Sequence, residues 1–209
     1  MDESMVIFGG TFDPVHNGHL IVARAAAEAC GIGKVMLIPS AQPPHKPPAG
    51  AFAEHRLEML RLAVAGEPMF EVSDTELRRS GPSYTIDTLR QLRDELPGTR
   101  LYLLIGADML ADLPQWHRAR DVVAEVDLIV AARNPWQEQL PAVLKKLGEH
   151  FDAKTLERLS SSVVETPRVD ISSTEIRRRL TKGLSVRYLL PEAVIDYIRR
   201  HELYAYTGE

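Results

Sequence analysis

The feature that most limits what this chain can become is an alternation of short apolar runs with helical patterns, beginning at its fifth residue. Met5-Val6-Ile7-Phe8 is an apolar run closed by Gly9-Gly10, which predicts a buried strand ending in a turn. Leu20, Ala23, Ala27 and Cys30 then recur on one helical face, and Gly31 with Gly33 predicts where that helix stops. Val35-Met36-Leu37-Ile38 is the next apolar run. Strand, glycine turn, helix and strand within about 40 residues make a βαβ unit, whose crossover sets the two strands parallel.

The alternation continues. Leu57, Leu60 and Val64 mark a helix, Phe70-Glu71-Val72 a short strand, and Ile86, Leu89, Leu92 and Leu96 a further helix ended by Pro97-Gly98. Leu101 to Ile105 and Leu128 to Ala131 read as buried strands, and Val163-Val164 as a weaker one. The expectation is an α/β chain built on an open, mostly parallel sheet with helices on both faces. At 209 residues, one large domain over 1–209 is expected. The segment 39–48 holds five of the 14 prolines and is expected to be a loop after a strand's carboxyl end, the side on which open α/β sheets bind ligands.

Composition narrows the function classes. With 44% hydrophobic and 26% charged residues the chain is in the globular range, and no apolar stretch approaches a membrane span. Met1-Asp2-Glu3-Ser4 lacks the basic start of a secretory signal, so a cytoplasmic location with no membrane partner is expected. The net charge of −4 argues against a nucleic-acid partner. Positive charge is concentrated locally: residues 168–187 carry Arg168, Arg177, Arg178, Arg179, Lys182 and Arg187 against Asp170 and Glu175. The single cysteine, Cys30, is expected to be a small buried hydrophobe.

Several familiar motifs fail. Gly31-Ile32-Gly33 has Met36 where a dinucleotide fingerprint needs its third glycine, and it follows a helix rather than a strand. His201-Glu202 meets Ala205 where a zincin needs a second histidine, and no metal site is expected.

The strongest signal is Gly9-Gly10-Thr11-Phe12-Asp13-Pro14-Val15-His16-Asn17-Gly18-His19. Two glycines after a strand let backbone N–H groups approach a ligand, and a helix opening near Asn17 turns its positive end to an anion. His16 and His19 lie three residues apart at that helix start, where two imidazoles can donate to charge developing on a transferring phosphoryl group. One of them could instead only cap the turn. Farther on, Ser172 with Glu175 is a capping-box pattern that opens a helix. Its N-terminal N–H groups, the Ser173 and Thr174 hydroxyls and Arg177 form a second phosphate-binding pattern, with Arg178 and Arg179 read as a solvated face.

Residues 9–20, together with Ile171-Ser172-Ser173-Thr174-Glu175-Ile176-Arg177, resemble the two signatures of the nucleotidylyltransferase superfamily. Pro43-Pro44-His45-Lys46, Ser83 to Leu89, Gly106-Ala107-Asp108, Leu113 to His117 and Tyr188 to Pro191 are similar to motifs of its bacterial nicotinate-nucleotide adenylyltransferase family. The resemblance spans nearly the whole chain. It implies a Rossmann-like domain with a small helical C-terminal part, 172–209, and the joining of ATP to nicotinate mononucleotide with release of pyrophosphate.

On this resemblance His16, His19, Lys46 and Arg177 carry the catalysis. ATP is held by Gly9, Gly10, Thr11, Phe12, His19, Gly106, Asp108, Ser173, Thr174 and Arg177. Nicotinate mononucleotide is held by Thr11, Ser40, Lys46, Tyr84, Thr85, Trp116 and Arg133. Within this, Lys46 neutralises phosphate charge, Asp108 accepts a ribose hydroxyl, the backbone at Tyr84 and Thr85 receives the carboxylate, and Trp116 stacks on the ring. Read alone, Lys46 is a surface lysine, Asp108 an N-cap and Trp116 a packing residue. Ser40 stands where the family often has asparagine, and Arg133-Asn134-Pro135 replaces its arginine-proline pair. Mg²⁺ is expected to travel with ATP, without a cage of protein ligands. Two other readings stay open: an adenylyltransferase for the amidated mononucleotide or another small phosphate, and a nucleotide sensor without chemistry. Oligomeric state stays open too, because Tyr197 and Ile198 suit either a core or a homo-oligomer interface.

Overall fold

In the computed structural model, residues 3–42, 49–132 and 136–205 are described. Six strands, β1 (Ser4–Gly10), β2 (Val35–Pro39), β3 (Phe70–Val72), β4 (Arg100–Gly106), β5 (Asp127–Ala132) and β6 (Val163–Glu165), form one sheet in the order β3-β2-β1-β4-β5-β6. The order reverses between β1 and β4, as in doubly wound α/β sheets. Pairing is parallel for β1–β4, β4–β5 and β5–β6, with Ile7 opposite Leu103, Leu103 opposite Leu128 and Val130 opposite Val163. Each strand foreseen from an apolar run is present. The run at 35–38 is buried along its whole length, as a strand covered on both faces must be.

The helices are α1 (Asn17–Ala29), α2 (Ala53–Ala63), α3 (Thr85–Glu95), α4 (Ala107–Asp112), α5 (Ala119–Glu125), α6 (Trp136–Leu147), α7 (Ala153–Ser161), α8 (Ser173–Thr181) and α9 (Glu192–Arg200). α1 to α3 and α8 fall where periodicity or capping signals place them, α4 is the helix expected to follow Asp108, starting already at Ala107, and α9 lies in the helical C-terminal part. α5 to α7 are additions to the sequence pattern, and α6 contains Pro141, which reads in sequence as a break. Cys30 is a correction: α1 stops at Ala29, and Cys30 is exposed in the turn that Gly31 closes at φ 67°.

The chain forms two compact units. The first comprises 1–8, 22–35 and 84–168 and is built on β4, β5 and β6 with α3 to α7. Its core is the interleaving of Leu103 to Ile105 and Leu128 to Val130 with Ile86, Leu89 and Leu92 of α3, all at most 7% exposed. The second comprises 9–21, 36–83 and 169–209, and so holds both phosphate-binding patterns. Met59 and Leu60 of α2 and Ile176 and Leu180 of α8 are fully buried there, as are Val194 and Ile198 of α9. Burying an Ile of this kind contributes about 1.5–3 kcal/mol. Ile198 is therefore a core residue, and half-buried Tyr197 turns its hydroxyl to His55 Nδ1 at 2.9 Å. Among the described residues no helix is long and apolar enough to cross a membrane.

Candidate active site

In the second unit the chain leaves β1 through Gly9-Gly10. A Cβ on Gly10 would meet the Phe12 ring at 3.0 Å, so glycine allows that ring to fold back on the strand end. Phe12 is 2% exposed, takes φ 49°, and sets the edge of its ring against His19 at 5.0 Å. Thr11 beside it has its carbonyl held by Arg56 Nη1 at 2.7 Å, while its Oγ1 is buried without a hydrogen-bond partner. A buried hydroxyl in that state costs about 1–3 kcal/mol.

His16 and His19 are bonded reciprocally. The His16 N–H donates to His19 Nδ1 at 3.2 Å, and the His19 N–H donates to His16 Nδ1 at 3.3 Å and to its carbonyl at 2.9 Å. The rings stack with centroids 3.6 Å apart. Since both Nδ1 atoms accept, each neutral ring carries its proton on Nε2. Burial pushes His16 down to about 4, so it stays neutral near pH 7 and can donate without first losing a charge. Gly18 makes the stack sterically feasible, because a Cβ there would lie 3.0 Å from His16 Nδ1 and 3.3 Å from Val169.

One expectation is revised here. The first amide of α1, Asn17 N–H, donates to the Leu189 carbonyl at 2.9 Å, and the Asn17 side chain donates to the Tyr188 carbonyl. That first amide is thus spent within the protein.

α8 carries the second of the two expected phosphate-binding patterns. Ser172 caps it by accepting from the Glu175 N–H, as the capping pattern predicts, but the Glu175 carboxylate turns to Arg178 with two contacts of 2.6 Å. That pair holds Glu175 below the usual carboxylate range and confirms Arg178 as a solvated-face residue. Arg179 donates to the Ser185 carbonyl. The Ser173 hydroxyl donates to the Pro14 carbonyl at 2.9 Å, so its hydrogen is spent on holding the loop. The sequence pattern assigns this hydroxyl to a phosphate; here its hydrogen faces the loop. Thr174 Oγ1 accepts from Arg177 Nη2 at 3.3 Å, and Arg177 Nη1 donates to the Asp13 carbonyl at 2.6 Å. α8 therefore packs its Arg177 against the histidine loop.

Ser40 is buried and sends both its N–H and its hydroxyl to the Gly10 carbonyl, at 2.9 and 3.3 Å. Lys46 and Arg133 lie outside the described residues.

The first unit holds the other expected residues. Tyr84 is the N-cap of α3, Thr85 its first residue, and the helix start has no side-chain cap. The Tyr84 ring stacks on His117 at 4.2 Å, a contact that the sequence reading left without a role for His117. Next to His117, half-buried Trp116 lines a hollow of about 250 Å³ with Pro114, Arg118, Arg120, His150 and Phe151. Gly106 is the N-cap of α4, which removes that alternative for Asp108; the aspartate is exposed in the first turn. Its Oδ1 lies where a Cβ on Gly106 would come within 2.5 Å, so the carboxylate is folded over a glycine backbone.

The Cytidylyltransferase-like family model matches residues 7–179. A protein of Synechococcus sp. (strain JA-3-3Ab) named "Probable nicotinate-nucleotide adenylyltransferase" is 44% identical over 95% of this chain and 93% of its own. One of the same name from Aeromonas salmonicida (strain A449) is 44% identical over 95% of both. Among solved structures, the Plasmodium falciparum nicotinic acid mononucleotide adenylyltransferase, complexed with APC or with NaAD, superposes with a TM-score of 0.73 over 98% of both chains. At 20% identity that likeness speaks for the fold, which is Rossmann-like.

Proposed function

This chain belongs to the cytidylyltransferase-like family and is a nicotinate-nucleotide adenylyltransferase, and from that premise we propose how its residues divide the work. The observation that carries the reading is the reciprocal histidine pair, which presents two neutral Nε2–H donors from one turn. A phosphate oxygen of nicotinate mononucleotide attacks the α-phosphorus of ATP, the new P–O bond forms, and the bond to the β-phosphate breaks with release of pyrophosphate. His16 and His19 donate to the oxygens on which charge develops, which needs positioning and charge stabilisation but no covalent intermediate.

Gly9, Gly10, Thr11 and Phe12 line the path of the ATP phosphates, with the Thr11 hydroxyl as a donor or acceptor toward substrate. Arg177, Thr174 and the Ser173 N–H take the β- and γ-phosphates, leaving Arg178 to the surface. Gly106 and Asp108 take the ribose, the carboxylate accepting a hydroxyl. The uncapped start of α3 at Tyr84 and Thr85 receives the nicotinate carboxylate, since backbone N–H groups suit an acceptor-only group better than a carboxamide. Trp116 stacks on the ring, and Ser40, Lys46 and Arg133 serve the mononucleotide phosphate. The chain acts as a single nucleotidylyltransferase domain, in the cytoplasm.

ATP enters as its Mg²⁺ complex. Asp13, the carboxylate in the histidine loop, is already filled by N–H and O–H donors, which suits an ion carried on phosphate oxygens rather than on this side chain.

The test is pyrophosphate release from ATP and Mg²⁺ with nicotinate mononucleotide and, in parallel, with nicotinamide mononucleotide. Fast release with the acid alone is expected. Equal rates would remove the assignment of Tyr84, Thr85 and Trp116, and no release with either would remove the activity.

A further inference from the structure

We propose that Tyr204 is a positioning residue for the phosphate-binding arginine, acting through the buried carboxylate of Asp13; this rests on Arg177 being a ligand of the ATP phosphates. Asp13 is 5% exposed, and its two oxygens are shared among four groups. Oδ1 accepts from the Ala51 N–H at 3.1 Å and from the Tyr204 hydroxyl at 2.7 Å. Oδ2 accepts from the Gly50 N–H at 2.7 Å and lies 3.6 Å from Arg177 Nη1.

The order of these distances is the argument. Three uncharged donors, each closer than the guanidinium, satisfy most of the lone-pair capacity of the carboxylate. Arg177 is consequently not drawn into a tight fork with Asp13. It bonds instead to the main-chain carbonyl of the same residue and to Thr174 Oγ1, with its side chain one-third exposed. A guanidinium held by neutral acceptors keeps donors for a phosphate; one locked onto a buried carboxylate does not. Tyr204 is the most remote of the three donors in sequence, 191 residues from Asp13, and the only one that is a side chain. It reaches the carboxylate from a left-handed backbone conformation, φ 62° and ψ 32°, which β-carbon-bearing residues seldom adopt. Burial first, and Asp13 second, push its phenol far above the ordinary range, so it remains a donor throughout the working pH range. Arg56, buried, is engaged by the carbonyls of Thr11 and Ala51 rather than by the Asp13 carboxylate.

Removing the hydroxyl leaves the carboxylate one donor short, and the group able to answer is Arg177. Tyr204→Phe is expected to raise KM for ATP about five- to tenfold, the net scale of one ordinary hydrogen bond, with KM for nicotinate mononucleotide unchanged within about twofold. The decisive measurement is a double-mutant cycle of Tyr204→Phe with Arg177→Gln. If Tyr204 acts through Arg177, the double variant has the ATP KM of Arg177→Gln alone. Multiplying losses, or a Tyr204→Phe ATP KM within about twofold of wild type, would overturn the proposal. An Arg177→Gln variant with a normal ATP KM would instead remove the phosphate role of Arg177 itself. If Tyr204→Phe expresses poorly, the rise in melting temperature on adding Mg²⁺ and ATP reads the same affinity on the folded fraction: a shift as large as that of wild type counts against the proposal, and a smaller one supports it.

Discussion

His16 and His19 hold each other: each ring nitrogen Nδ1 takes the other's backbone N–H, at 3.2 and 3.3 Å, and the two rings lie face to face at 3.6 Å. Neither ring can rotate or change tautomer without breaking a bond to its neighbour's main chain. The pair behaves as one rigid donor unit, and preorganisation of that sort is what electrostatic stabilisation of a transition state requires.

His19→Ala removes one Nε2 donor while leaving the α1 helix its backbone. Turnover is expected to fall by about 10²–10³, the usual effect of deleting one such donor. Circular dichroism and pyrophosphate release on the same sample check it, and a near-normal rate in a folded variant refutes the assignment.

His16 makes a pH-dependent contribution to stability whose sign is fixed. Its folded value is about 4 against an ordinary 6.5, so between those limits the unfolded chain binds the extra proton and the native state does not. Stability from this group is complete above pH 6.5 and is lost as pH falls toward 4, by up to about 3 kcal/mol. Urea midpoints of wild type and His16→Gln should draw together from pH 7 to pH 4.5; parallel curves would contradict this. Because His16 is neutral above pH 5, it should also put no acid limb on kcat/KM there.

Gly106→Ala separates position from stability. The added Cβ would stand 2.5 Å from Asp108 Oδ1, the free end of a flexible and exposed side chain, and the backbone at φ −74° suits alanine. The melting temperature should move by no more than a few degrees, about 1 kcal/mol or less, while the displaced carboxylate raises KM for ATP. Unchanged kinetics would detach Asp108 from ribose recognition.

Arg56→Met tests the other extreme. The guanidinium is 2% exposed and serves two carbonyls, those of Thr11 and Ala51. Desolvation lowers its pKa, with the Asp13 charge opposing that shift. Its removal leaves a buried carboxylate with less compensation and two acceptors unpaired, for an expected loss of about 3–5 kcal/mol. Chemical denaturation should show that loss; a change below about 1 kcal/mol would mean that the site relaxes around methionine.

The strands were legible because each buried strand is a run of apolar residues, and the runs at 5–8, 35–38, 101–105 and 128–131 sit inside β1, β2, β4 and β5. The helix α5 was not, since it starts from Arg118 at φ 55°, a conformation that no local sequence signal announces. Within the site, residues 9–19 and 171–177 could be found because each is a contiguous segment. Their supports were hidden by distance. Arg56 lies three and four residues before buried Met59 and Leu60, but no local signal names the carbonyls it serves, and nothing near Tyr204 hints at a partner 191 residues away. Likewise, His117 gains meaning only when folding lays the Tyr84 ring against it.

The bond between Tyr204 and Asp13 also sets a clock on biosynthesis. Residue 13 leaves the ribosome well before the residue that completes its hydrogen bonding, which follows 191 positions later. At about 5–20 residues per second that interval is roughly 10–40 s. During it the histidine loop exists on a nascent chain without its last anchor, and the arginine of α8 has itself been made only shortly before. A fragment that stops short of Tyr204 thus lacks the last anchor of the histidine loop.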